Sequence, residues 1–133
     1  MIVWTNGCYD ILHRGHVELF KYANSLGNKL IVGIDSDQRV RRSKGSSRPI
    51  NTQEDRKCVL ESIRWIDQVC VFGSDEELEE CLTQNNVDIM VIGSDWKGKQ
   101  VVGQKCVKEV CFFDRIKEYS TTNILIKQGE RYE

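Results

Sequence analysis

Two histidines, His13 and His16, lie three apart in the stretch GCYDILHRGHVELF (7–20), with Gly15 between them. Imidazoles can ligate a metal, fill a core or donate hydrogen bonds to phosphate, and the neighbouring residues weigh these uses. A helical zinc pair wants i, i+4 spacing and a glutamate companion of the H-E-x-x-H type; this stretch has neither, so no metal ligand is assigned. Gly15 argues against a core pair, because a glycine inside a helix costs up to about 1 kcal/mol. The same glycine suits a backbone that must approach a ligand closely. Phosphate fits best. A helix starting here aims free N–H groups and a partial positive charge past the end of the preceding strand. Two imidazoles on that side add directed donors for charge that builds on a phosphate oxygen during attack at phosphorus.

The elements that must position these residues follow from hydrophobic period. IVWT (2–5) is a short apolar run, and Leu19, Tyr22, Ala23 and Leu26 recur at helical spacing with Gly27 placed to end the helix. KLIVGI (29–34) is apolar enough for a strand buried on both faces. Residues 35–51 read as a polar loop with the only proline, Pro49. Asn51 and Glu54 are spaced like a capping box, opening a helix with Val59, Leu60, Ile63 and Ile66 inward. QVCVF (68–72) is the third strand, and Ser74 with Glu77 caps a helix presenting Leu78, Cys81 and Leu82. DIMVI (88–92) and EVCFF (109–113) complete the strands, with a weaker helical pattern at about 99–107. This alternation predicts an α/β fold: one domain over 1–133, a Rossmann-like five-stranded parallel sheet with helices on both faces. Such sheets bind ligands beyond the carboxyl ends of their strands, at the switch point in strand order. NGCYD, DSDQRVRRSKGSSRPIN and GSDWKGK should therefore meet at one crevice.

Lys and Arg number 19 against 20 Asp and Glu, a balance that excludes the basic surplus of a sequence-independent nucleic-acid binder. No apolar run approaches the roughly 20 residues of a membrane span. MIVWTNGCYD has no basic segment ahead of its apolar stretch, so a cytoplasmic protein without a secretory signal is expected. None of the six cysteines forms a C-x-x-C pair and most fall in apolar stretches, which predicts buried small hydrophobes in a reducing compartment.

GCYDILHRGH resembles the G-x-F-D-x-x-H-x-G-H signature of the cytidylyltransferase-like family of nucleotidyltransferases, with Tyr9 in place of the usual phenylalanine. SIRWID (62–67) resembles a segment ending the family's second helix, and YSTTNI (119–124) its second signature, S-T-T before a final helix. The resemblance implies that a phosphate oxygen of a small acceptor attacks the α-phosphorus of a nucleoside triphosphate in line and releases pyrophosphate. Positioning and charge stabilisation are the main demands of such chemistry. On this likeness His13 and His16 contact the triphosphate, and Asp10 orients the site beside the metal–triphosphate. Gly7 and Cys8 offer backbone N–H groups to the nucleotide, in one turn with Tyr9, while Gly15 clears room. Lys44, in the basic run RRSKGSSR, either folds over the triphosphate or is solvated charge; Arg39, Arg41 and Arg42 receive no role.

Arg64 corresponds to a family arginine near the acceptor phosphate, and Arg56 lies eight residues earlier on roughly the same helix side. A guanidinium can hold two phosphate oxygens, although each could instead pair with Asp55, Asp67 or Glu61. Asp95 and Trp96 match a D-W or D-Y pair beside the nucleotide, with core packing the competing use of the indole. Ser120, Thr121 and Thr122 combine a helix cap with donors for the β- and γ-phosphates, and Arg115 adds positive charge. Magnesium (Mg2+) is implied by the substrate, on which it rides, rather than by a protein ligand cluster.

Within the family the likeness divides. TNGCYDILHRGHV, SKGSSRPIN, VVG (101–103) and STTNI look most like bacterial heptose 1-phosphate adenylyltransferases, which make ADP-heptose from ATP. LESIRWIDQV and GSDWKGK look like glycerol-3-phosphate cytidylyltransferases, which make CDP-glycerol from CTP. A nucleotide-binding regulator that has lost turnover is the alternative from another class. A homodimer is expected, the commonest symmetric assembly.

Overall fold

The computed structural model describes residues 1–114. Arg115, Ser120, Thr121 and Thr122 lie outside the described residues. The chain runs β1 (Ile2–Gly7), α1 (Arg14–Ser25), β2 (Lys29–Asp35), α2 (Asp37–Lys44), α3 (Gln53–Glu61), β3 (Gln68–Phe72), α4 (Asp75–Gln84), β4 (Ile89–Gly93) and β5 (Glu109–Phe113). All five strands pair in parallel, in the order β3-β2-β1-β4-β5. The first three strands progress outward in one direction, and the chain then crosses back to lay β4 on the other side of β1. The switch point thus falls between β1 and β4, directly above which α1 begins.

Period-two alternation divides the interior between the two faces of the sheet. Leu30, Val32 and Ile34 of β2 pack with Phe20 and Ala23 of α1 and Leu60 of α3. Ile31 points the other way, joining Trp4, Phe72, Met90 and the α4 residues Leu78 and Leu82. Gly33 has no freedom to be anything larger: a Cβ there would run into the ring of Trp4 and come within 3.0 Å of Phe72. The large indole therefore fits because its neighbouring strand carries no side chain at that point.

Several expectations change in detail. The presumed loop 35–51 contains α2, a helix with Val40 as its buried residue. Its stability comes from its ends: Ser36 Oγ accepts from Arg39 N–H (3.2 Å), Asp37 lies in the first turn, and Arg41, Arg42 and Lys44 lie in the last. The cap of α3 is Thr52, accepting from Asp55 N–H, not Asn51 with Glu54. Val59 is 52% exposed rather than inward. The segment at 99–107 forms only a short 3-10 turn, Gln104–Cys106, instead of a helix. The cap before α4 is as expected, with Ser74 Oγ accepting from Glu77 N–H (3.1 Å) and Glu77 accepting from Gly73 N–H (2.8 Å). All six cysteines are free thiols, but none is fully buried; five are partly covered and Cys58 is exposed. Among the described residues no helix is long and apolar enough to cross a membrane.

Candidate active site

The turn that leaves β1 is tightly constrained. Tyr9 and Ile11 both adopt left-handed backbone, with φ of 50° and 65°. For a β-branched residue this is a strained conformation that persists only when its surroundings over-determine it. The tyrosine ring is buried, edge-on to Phe20 and to His16 (centroids 5.1 and 5.3 Å). Burial pushes the Tyr9 hydroxyl well above its ordinary range, so it remains protonated beside Thr5 Oγ1 (3.4 Å).

His13 is the N-cap of α1, and the chain turns back on itself there. His16 N–H and Val17 N–H both reach the His13 carbonyl (3.0 and 3.3 Å), while His13 N–H donates to Nδ1 of His16 (3.2 Å). An Nδ1 that accepts leaves the ring's proton on Nε2, which fixes His16 as an Nε2–H donor. The two rings stack at 3.8 Å between centroids and 22° between planes. One helical turn thus presents both imidazoles as a unit, with the N–H groups at the start of α1 beside them.

A cleft of about 990 Å³ lies over the carboxyl ends of the strands. Gly7, Cys8, Tyr9, His13, Gly15 and His16 line it from the β1–α1 side. Lys44, at the end of α2, stands exposed on its wall, and Asp95 and Trp96 line it beyond β4. The three predicted segments do meet at one crevice. Trp96 (49% exposed), Val101, Val102 and Phe113 are among its apolar lining residues.

Two residues left unassigned in the sequence also face this space. Arg39 bridges Asp35 (3.1 Å) and Asp75 (2.9 Å), and Arg42 donates to the Gly73 carbonyl (3.0 Å). With Ser43 they recur at i, i+3 and i+4 on one face of α2, a pattern legible only once α2 is known to be a helix. They tie α2 to the start of α4 and close that wall. Burial raises the Asp35 carboxyl above the usual range, with Arg39 opposing the shift. Burial likewise raises the Cys8 thiol, against the nearby charges of Lys44 and Arg56.

The stacked histidines at the head of α1, beside the β1/β4 switch point, narrow the relatives to be expected. The sequence model of the cytidylyltransferase-like family matches residues 4–127. The chain belongs to that family. Among curated proteins, the "Bifunctional protein HldE" of Campylobacter concisus is 48% identical over 124 residues, 93% of this chain and 26% of that protein. HldE of Wolinella succinogenes is 47% identical over 127 residues, covering 95% and 26%. The chain spans about a quarter of the length of these relatives. Among solved structures, the lipopolysaccharide core biosynthesis protein of Thermoplasma volcanium superposes with a TM-score of 0.71 at 25% identity, covering 87% of this chain and 98% of that one.

Three of the predicted site residues lie apart from the cleft. Asp10 is buried, and its carboxylate accepts from the N–H groups of Ile50 and Asn51 (2.6 and 2.9 Å) and from Arg48 (3.4 Å). It faces the protein rather than a metal–triphosphate. Arg56 is 2% exposed and spends its guanidinium on backbone carbonyls and Asp37, so it is not available to an acceptor phosphate. Arg64 is exposed, lies over the Trp65 ring (4.8 Å), and sits at the opposite end of the sheet. The reason is directional: α3 runs away from the cleft, and Asp67, just past Arg64, bonds to Leu30 at the amino end of β2.

Proposed function

We propose that the protein is a nucleotidyltransferase that joins a nucleoside monophosphate to a sugar phosphate, most concretely making ADP-heptose from ATP and heptose 1-phosphate. An oxygen of the acceptor phosphate forms a bond to the α-phosphorus, and the bond from that phosphorus to the β-phosphate oxygen breaks, releasing pyrophosphate. Mg2+ enters with the triphosphate and neutralises part of its charge. The observation that carries this reading is the stacked His13–His16 pair at the head of α1, with Lys44 on the wall of the same cleft. Preorganised donors of this kind stabilise charge on the α-phosphoryl group without reorganising during the reaction. The exposed indole of Trp96 on the cleft lining suits a nucleobase, with the triphosphate reaching toward His13 and His16.

Family membership supports the reaction class. Likeness to HldE proteins and to a lipopolysaccharide core biosynthesis protein supports a sugar phosphate as acceptor. The expected setting is a cytoplasmic homodimer, checked by sedimentation. Pyrophosphate release with each of four NTPs and an acceptor panel tests the whole reading. Turnover with ATP and heptose 1-phosphate is the expected result. Turnover with CTP and glycerol 3-phosphate replaces the substrates and keeps the class. Tight nucleotide binding without turnover for any pair rejects the enzyme.

A further inference from the structure

Asp10 and Arg56, both withdrawn from the cleft, form one buried cluster beneath it. Arg56 Nη1 donates to the carbonyls of Cys8 and Asp35 (both 2.8 Å), Nε to that of Asn51 (3.1 Å), and Nη2 to the Asp37 carboxylate (2.8 Å). Asn51 is therefore held from both sides, its carbonyl by Arg56 and its N–H by Asp10 (2.9 Å). Three walls of the site converge here: the turn after β1, the junction of β2 with α2, and the segment that returns from Lys44. Neither a helix ladder nor a sheet ladder fixes these three relative to one another. The turn also holds left-handed Tyr9 and Ile11 immediately before His13, a conformation that needs external restraint.

We propose that Arg56 is a positioning residue, touching no ligand but setting where His13 and His16 stand relative to α2 and Lys44, with Asp10 as the acceptor half of the same clamp. The inference rests on the nucleotidyltransferase reading and deepens it. Three differently placed nitrogens of one planar group reach fixed carbonyls and a carboxylate. Lysine keeps the charge but offers a single nitrogen, so it cannot span them. A misplacement of about 1 Å at reacting groups can cost about 100-fold in rate.

Peptide-resolved hydrogen exchange and steady-state kinetics on Arg56→Lys, Asp10→Asn and the double variant test this. Exchange at Ile50 and Asn51 should quicken about tenfold or more, the scale of a lost charge-assisted bond, while the β2 peptide 29–35 stays protected. Each single variant should lose about 100-fold in kcat with both KM values within about threefold, and the double should lose less than the product. The parent turning over while folded Arg56→Lys keeps its kcat overturns the proposal alone. A raised acceptor KM at unchanged kcat makes Arg56 a phosphate ligand and also overturns it, as does exchange accelerated throughout the sheet. A parent without turnover overturns the functional reading beneath it.

Discussion

His16 does two separable things, and separating them is the sharpest test of the site. Its Nδ1 accepts from His13 N–H (3.2 Å), holding the first turn of α1, and on the proposed reading its Nε2–H donates to a phosphate oxygen. His16→Ala removes both. His16→Asn keeps a short polar side chain able to accept near the Nδ1 position, as an N-terminal cap residue can, but it cannot reach where Nε2 stood. Losing a preorganised donor to developing charge costs about 100- to 1000-fold in kcat, or about 2.7–4 kcal/mol at roughly 1.4 kcal/mol per decade. Losing the local backbone acceptor costs about 1 kcal/mol of stability, the scale of a missing helix cap. Both variants should therefore lose at least about 100-fold in kcat for pyrophosphate release. Only the alanine should melt measurably earlier by circular dichroism. The KM for nucleotide should move far less than kcat in both, because the donor is needed most in the transition state. A folded His16→Asn with kcat within about threefold of the parent would show that Nε2 carries no catalytic load, and the charge-stabilising role would be withdrawn.

Other perturbations reach other parts of the same structure. Lys44→Met removes a charge exposed on the cleft wall and should lower kcat/KM by about 10- to 100-fold, the range of one charge-assisted hydrogen bond, with melting unchanged; an unaltered kcat/KM assigns Lys44 to the solvated surface. Gly33→Ala forces a methyl into the Trp4 ring and should cost about 1–3 kcal/mol, several degrees in melting temperature, so a neutral result would contradict the packing of that face. Burial raises the Cys8 thiol above the ordinary thiol range, against the opposing charges of Lys44 and Arg56. Its alkylation, followed by peptide mass spectrometry, should keep accelerating as pH rises past 9, and a plateau below pH 8.5 would reverse the sign of the shift.

The sheet was legible because parallel strands covered on both faces have few exposed positions to blur their boundaries. QVCVF and EVCFF match β3 and β5 residue for residue. The stretch DQRVRRSK, by contrast, carries one apolar residue in eight and no hydrophobic period. Its helix depends on a serine cap, charges matched to its dipole, and Arg39 and Arg42 reaching Asp75 and Gly73 more than thirty residues away. Propensity could not anticipate those partners. The shift of the α3 cap by one residue has a similar origin, since Asn51 is already held at both its N–H and its carbonyl by Asp10 and Arg56.

The division between what could and could not be read off the chain follows contact range. The histidine grip is built inside four residues, from one N-cap turn and a side chain that bonds back to it, so spacing alone carried its geometry. Arg56 and Arg64 have a spacing that would put both on one side of a helix, but α3 ends at Glu61 and Arg64 follows it, close to Asp67 at the amino end of β2, so their fates differ. Asp10 belongs to the signature, three residues before His13, but its carboxylate accepts from the N–H groups of Ile50 and Asn51. A carboxylate that satisfies two backbone N–H groups in a buried position restrains the chain around it. Signature positions in this protein therefore divide by where their partners lie. His13 and His16, which fold back on their own turn, face the cleft, and Asp10, whose partners lie about forty residues along the chain, ties the turn after β1 to the segment that follows Lys44.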